Sequence, residues 1–347
     1  MTTTIYPPFT DNALLTLKKR YYQPNESTPE HLFRRVAKHI ASAEKDTQEK
    51  EKWGAIFFDM MMSRKFLPSS PILFNAGTGQ GCLSACFVLN PEDSLDSIYQ
   101  IVKDSAMVQK SGGGVGHGLS LLRRKGALIK STQKYALGPL GVLRILSISS
   151  KEITQGGRRS GANMAQEICS HPDIFDFIHC KDKDNGDFEN FNISVQVTED
   201  FLKRVKEDGD WDLIDPYEKK VIRTIKAKQL WTELVESAWK TGDPGIVFID
   251  RVNETAPNPT LGPILSSNPC SEELLENYGN CCLGSITLQH FVNLKHSDYF
   301  NLVELKKTIR YAVRFLNNVI EVNEFPIPEL RRINLITRRI GLGVMGW

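Results

Sequence analysis

No apolar run in this 347-residue chain is long enough to cross a bilayer, and its first residues, MTTTIYPPFTDNALL, lack the basic and apolar blocks of a secretory leader. The sequence therefore reads as cytoplasmic, with no membrane partner. Net charge is also scarce. A formal +2 creates no strong basic field, so nucleic acid is not indicated as a partner, whereas acidic small molecules can still be held at local sites. The cysteines, seven in all, form no Cys-x-x-Cys pair; Cys82 and Cys86 are separated by three residues and no matching His or Cys pair follows. That spacing argues against structural zinc, and no metal site is assigned. An odd number of cysteines in a chain too large to need a disulfide framework fits thiol redox chemistry in a reducing compartment. Internal repeats and low-complexity linkers are missing as well.

What is present is an ordinary globular composition, 41% hydrophobic and 24% charged, which suffices for a sizeable core. Residues 1–66 read as a helical N-terminal domain. Thr28 can cap and Pro29 can open a helix whose Leu32, Phe33, Val36, Ala37, Ile40 and Ala41 repeat at helical spacing, and Trp53, Ile56, Phe57 and Met60 mark another. From residue 67 to 347 the texture changes. Short apolar runs such as Cys86-Phe87-Val88-Leu89, Ile193-Ser194-Val195 and Gly245 to Ile249 alternate with glycine-rich turns and amphipathic helices at 230–240 and 302–322. This alternation predicts an α/β fold with buried, largely parallel strands. The run from Ile340 to Trp347 reads as the start of another buried strand, whose edge a partner polypeptide is expected to cover.

Asn268-Pro269-Cys270-Ser271-Glu272 carries the strongest chemical signal. In an extended backbone its first, third and fifth side chains leave on one face, so an amide, a thiol and a carboxylate can meet one substrate. The competing reading is a turn with a buried structural cysteine. Ser111 to Gly118 is glycine-rich enough for close backbone approach to a phosphate or sugar, but it has no Gly-Lys-Ser/Thr ending; His117 reads as a loop or core residue. Gln155 to Ala162 combines glycines with two arginines, suited to anionic or base-edge contacts or to a switch, or else simply a solvated turn. Asp93 or Ser94 can cap a following helix. Cys86, Cys270 and Cys281 allow two thiols to supply electrons while a third acts otherwise, whereas Cys82, Cys169, Cys180 and Cys282 read as structural.

Taken in order, Pro68-Ser69-Ser70-Pro71, Phe74-Asn75-Ala76-Gly77, Leu83-Ser84-Ala85-Cys86-Phe87, the triple-glycine loop, the 155–162 loop, His171-Pro172-Asp173, the pentapeptide at 268–272 and Leu283-Gly284-Ser285-Ile286 resemble the catalytic subunit of ribonucleotide reductase. The resemblance implies the helical N-terminal region followed by about half of a ten-stranded α/β barrel. It implies that Cys270 becomes the thiyl radical, Glu272 is the general base, Asn268 holds the sugar hydroxyls, and Cys86 with Cys281 is the redox pair. Cys281 is preferred to Cys282 because it aligns with the family cysteine, and Cys282 stands where the family has Asn. Ser70, Ala85 and Gly114 match substrate contacts. Asp93, Ser94, Leu95 and Arg123 match positions for a deoxynucleotide or ATP effector, and Gln155 and Arg159 lie in the loop that relays effector identity.

The wording of Ser84 to Phe87, Gly112 to Gly116, Asp243 to Gly245 and Arg338 to Gly346 is most similar to the adenosylcobalamin-dependent class, and no amino-terminal ATP cone is evident. Adenosylcobalamin is the implied radical source, with a metal-containing small subunit as the alternative. A thioredoxin-type reductant and a homodimer are further partners open to it. The expected activity is reduction of ribonucleoside diphosphates by a split or truncated subunit completed by a C-terminal reductase polypeptide. The alternative is a non-catalytic nucleotide-binding regulatory fragment.

Overall fold

The computed structural model describes residues 6–153, 161–182, 187–292 and 299–347. They fall into two units, one built from residues up to Ala85 together with Asn280–Trp347, the other from Cys86–Gly279. Among the described residues no helix is long and apolar enough to cross a membrane.

The first unit is mainly helical. Thr28 accepts a hydrogen bond from the His31 N–H and Pro29 fills the first position of the helix Pro29–Ala41, whose buried residues are the six expected from the periodicity. This helix packs with Thr47–Met62 and Leu302–Val322 around Phe57, Phe66 and Phe315. Phe57 and Phe66 both meet Phe315 edge-on, with ring centroids 5.1 and 5.2 Å away. Glu44 is buried, yet it is charge-satisfied by the Arg314 guanidinium (2.8 and 2.6 Å) and the Asn318 amide (2.8 Å). The strand Asn280–Thr287 pairs antiparallel with Phe66–Pro68 and parallel with Ile340–Met345. The last strand is where the sequence places it, but it is half-exposed rather than buried, with Val344 63% accessible.

The second unit is a parallel sheet in which Cys86–Val88, Gly114–Gly118, Asn163–Ile168, Phe191–Val197 and Gly245–Phe248 pair in that order. Helices Leu95–Lys110, Gly138–Ile153 and Ala227–Thr241 lie along the chain between these strands. Side chains alternate across a strand, so the register sorts the sheet into two faces. One carries Phe87, Val115, Ala165, Ile193 and Val195, all buried. Asn163 shares this face and is satisfied by Gln109 (2.7 Å) and Ser150 (2.8 Å) from the two covering helices. The other face carries Cys86, Gly114, Gly116, Gly118, Gln166, Asn192 and Gln196.

The glycines on that second face are needed for close approach. A Cβ on Gly114 would stand 2.9 Å from Pro269 Cγ, one on Gly118 would stand 2.5 Å from the Leu265 carbonyl oxygen, and one on Gly116 would overlap the Ser267 carbonyl. The segment 265–269 thus lies directly on the Gly114–Gly118 backbone. Replacing Gly116→Ala should lower stability by about 1–3 kcal/mol or more, because no flexible side chain is available to yield. Gly54→Ala should act oppositely, gaining about 0.5–1 kcal/mol, since its Cβ would meet only Ala41 in ordinary contact within a helix. Thermal melts of the two variants check both signs; equal midpoints would contradict the close-approach account.

Candidate active site

The pentapeptide is a turn, which corrects the extended reading. Ser266–Ser267 pairs antiparallel with Leu274–Leu275, and residues 268–273 join them. Ser271 N–H donates to the Asn268 carbonyl at 3.1 Å, closing a β-turn with Pro269 in its second position, where the fixed proline φ is favoured. Ser271 itself takes φ +63°. Asn268 ties the two arms together, its N–H donating to the Glu273 carbonyl and its side-chain oxygen accepting the Glu273 N–H, each at 3.0 Å. Its side-chain NH2 is buried and has no partner among the described residues. The turn leaves Cys270 exposed, so it is not the buried structural cysteine of the competing reading either.

Below the turn, the Cys86 thiol donates to Glu272 Oε1 at 3.7 Å across 186 residues of sequence. Cys86 sits beside Gly114 in the sheet, and Gly114 lies under Pro269. Cys86, Gly114, Asn268, Cys270 and Glu272 are therefore gathered at one place within the second unit.

A set of amides holds the turn there. Asn192 Nδ2 donates to the Pro269 carbonyl (3.0 Å), Gln196 Nε2 to the Leu265 carbonyl (2.6 Å) and to Gln166 Oε1 (3.0 Å), and Gln166 Nε2 to Ser267 Oγ (2.7 Å). The sequence reading missed these residues. The available signal was the alternation Asn192-Ile-Ser194-Val-Gln196-Val, which puts polar groups on one face of an otherwise apolar strand.

Cys281, Ser70 and Ala85 belong to the first unit. Cys281 is buried in the Asn280–Thr287 strand, with its side chain on the opposite face from Cys282. Cys282 packs into the apolar core, where burial pushes its thiol up to about 12. Ser70 Oγ lies 2.8 Å from the Tyr21 hydroxyl, and Ala85 is buried. Burial also raises the Cys169 and Cys180 thiols to about 12 and raises that of Cys82.

Asp93, Ser94, Leu95 and Arg123 line one cavity of about 460 Å³ in the second unit. Arg123 Nε donates to Asp93 Oδ2 at 2.7 Å, and its guanidinium lies 4.2 Å over the Tyr217 ring. Ser94 caps the helix Leu95–Lys110 through Ser97 N–H (3.1 Å) while also lining the cavity. The loop carrying Arg123 is pinned from behind: His171 Nε2–H donates to the Leu122 carbonyl (2.9 Å), and Asp173 Oδ2 accepts the Lys125 N–H (2.7 Å). Glu167 lies 4.0 Å from His171 Nδ1, fully buried, with neither oxygen hydrogen-bonded among the described residues. Desolvation pushes its carboxyl up to about 7. Gln155 and Arg159 lie outside the described residues. Among the described residues no group of three or more His, Cys, Asp or Glu could hold a metal ion.

Two outcomes follow from this geometry. N-Ethylmaleimide applied to the native chain should modify Cys270 well before Cys82, Cys169 and Cys282, which should react only on unfolding; peptide mass spectrometry gives the order. Glu167 holds its proton to about pH 7 when folded but releases it from 4.5 upward when unfolded, so its contribution to stability falls as pH rises through that window. The advantage of Glu167→Gln over the parent in urea unfolding should therefore grow between those pH values and then level off.

The ribonucleotide reductase all-alpha domain matches residues 8–81 and the ribonucleotide reductase barrel domain matches residues 84–347. A vitamin B12-dependent ribonucleoside-diphosphate reductase of Thermoplasma acidophilum is 44% identical over 84% of this chain and 38% of its own length. One of the same name from Mycobacterium tuberculosis is 40% identical over 96% of this chain and 49% of its own. A ribonucleoside-diphosphate reductase subunit alpha of Chlamydia trachomatis is 31% identical over 98% of this chain and 35% of its own. The chain thus spans less than half the length of each of these relatives. A helical region followed by strands of the barrel type, with both domains matched in order, makes the chain a member of the ribonucleotide reductase large-subunit family.

Proposed function

We propose that this chain supplies the radical cysteine and the general base for reduction of ribonucleoside diphosphates to deoxyribonucleotides. The observation that carries the reading is the Cys86 thiol meeting the Glu272 carboxylate beneath a turn that exposes Cys270. Cys270, as a thiyl radical, takes the hydrogen from C3′ of the ribose while Glu272 accepts the proton of the 3′ hydroxyl. Asn268 donates to the sugar hydroxyls; its uncommitted NH2 supports this role, since an unpaired buried donor costs about 1–3 kcal/mol unless a ligand engages it. The radical at C3′ loosens the 2′ carbon–oxygen bond, and the 2′ hydroxyl leaves as water after protonation by a thiol of the Cys86–Cys281 pair. Both electrons for the reduction come from that pair, which closes to a disulfide, and Cys270 returns the hydrogen to C3′. A thioredoxin-type dithiol then resets the pair. Ser70, Ala85 and Gly114 are proposed substrate contacts.

For the radical source, the exposed position of Cys270 suits a group that must reach the sulfur from outside the chain, and the vitamin B12-dependent relatives favour adenosylcobalamin. When bound, it supplies the one-electron oxidation of the Cys270 thiol. The cavity at Asp93 and Arg123 is proposed to take a deoxynucleotide or ATP effector, with Gln155 and Arg159 in the relaying loop. Catalysis is proposed for an assembly that includes the remaining length of the relatives, on this polypeptide or another.

In such an assembly, loaded with adenosylcobalamin and a dithiol reductant, Cys270→Ala should lower turnover roughly a thousandfold or more, as loss of a covalently acting residue does. Cys86→Ser and Cys281→Ser should each prevent the disulfide that acid quenching and thiol counting detect after one turnover. Undiminished turnover with Cys270→Ala would overturn the reading in favour of a non-catalytic regulatory module.

A further inference from the structure

The helix Pro29–Ala41 has a second face, opposite its buried stripe, that the reductase chemistry does not use. His31, Arg34, Arg35, Lys38 and His39 recur there at spacings of three and four, so they line up along one side. The turn following the short helix Ser70–Asn75 comes up against them at Gly77. This glycine has φ +75°, and a Cβ on it would press within 3.1 Å of Arg35 Cγ and 3.4 Å of His39 Cβ. Turn and helix border an open surface cavity of about 650 Å³.

The charges in this cavity are unevenly committed. Arg35 is fixed by Glu26 (2.6 Å) and by the Leu73 and Ala76 carbonyls (3.1 and 2.5 Å). It thereby neutralises Glu26, the carboxylate in the lining. Arg34 is held by Glu30 at 2.6 Å in a pair with side chains 63% and 54% exposed, an arrangement that contributes little and exchanges readily for another anion. Lys38 makes no ion pair among the described residues. Among the described residues no Phe, Tyr or Trp lines the cavity, and the rings that do are the His31 and His39 imidazoles.

We infer that this cavity binds a phosphate-bearing anion through Lys38 and Arg34, with Arg35 as its rigid wall. Ammonium and guanidinium groups a helical turn apart can each meet separate phosphate oxygens once the anion displaces Glu30 from Arg34, and the Arg35–Glu26 pair keeps the carboxylate in the lining from repelling them. The site shares no lining residue with the Asp93–Arg123 cavity and does not rest on the reductase reading.

The test is isothermal titration of the 347-residue chain with tripolyphosphate at low ionic strength. Lys38→Glu and Arg34→Glu should each weaken binding roughly tenfold or more, the scale of one charge-assisted hydrogen bond. Lys306→Glu, an exposed charge reversal elsewhere, and Arg123→Ala should leave the affinity within about twofold, well short of one such bond. Matching melting temperatures will show that the variants remain folded. An absence of binding to the parent chain, equal weakening by Lys306→Glu, or loss with Arg123→Ala alone would each overturn the assignment.

Discussion

The contact of the Ser267 carbonyl with the bare backbone at Gly116 is what the rest of the second unit depends on. Two main chains can lie this close only where one presents no side chains, and Gly114, Gly116 and Gly118 provide such a surface by occupying successive same-face positions of one strand. The turn with Asn268, Cys270 and Glu272 is arranged on top of that surface. The short hairpin carrying Cys270 settles low enough for Glu272 to meet Cys86, for amides of the Phe191–Val197 strand to grip the Leu265 and Pro269 carbonyls, and for Gln166 to reach the Ser267 hydroxyl. A single methyl group interposed at Gly116 would lift the hairpin away from all of these partners at once.

The sheet divides its labour between its faces. Toward the helices it is apolar, and where a polar group appears, as at Asn163, it is matched by hydrogen bonds from both covering helices. Glu167 and His117 are exceptions on that face. His117 resolves its burial by staying neutral, its ring nitrogen bonded to the Leu89 carbonyl and its pKa lowered to about 4. Glu167 has no hydrogen-bond partner among the described residues and lies beside His171, which holds the loop that presents Arg123 to the second cavity. Toward the hairpin the same sheet presents its glycines together with Gln166, Asn192 and Gln196.

Much of this was legible in the sequence. Thr28, Pro29 and the periodicity after them located the helix Pro29–Ala41, its cap and its six buried residues, and the apolar runs beginning at Cys86, Ile193 and Gly245 lie in strands of a parallel sheet. Glycine density at 112–118 signalled a close approach, but not what approaches, because the answer lies some 150 residues further along the chain. The pentapeptide's residue types were readable and its shape was not. Proline suits both an extended segment and the second position of a β-turn, and the choice is made by Ser271 adopting a left-handed conformation that its identity does not announce. The amides of Gln166, Asn192 and Gln196 were overlooked because each looks unremarkable alone. Only the register, which puts them side by side on the face opposite the helices, reveals their common task.

Those amides have one more property that matters for the thiol they support. Asn192, Gln166, Gln196 and the Ser267 hydroxyl have no acid–base equilibrium anywhere near neutrality. A mount made of carboxylates or imidazoles would loosen or tighten as its members gained and lost protons, and would move the reactive sulfur with them. Among the amides and the hydroxyl that hold this turn, none changes charge between acid and base.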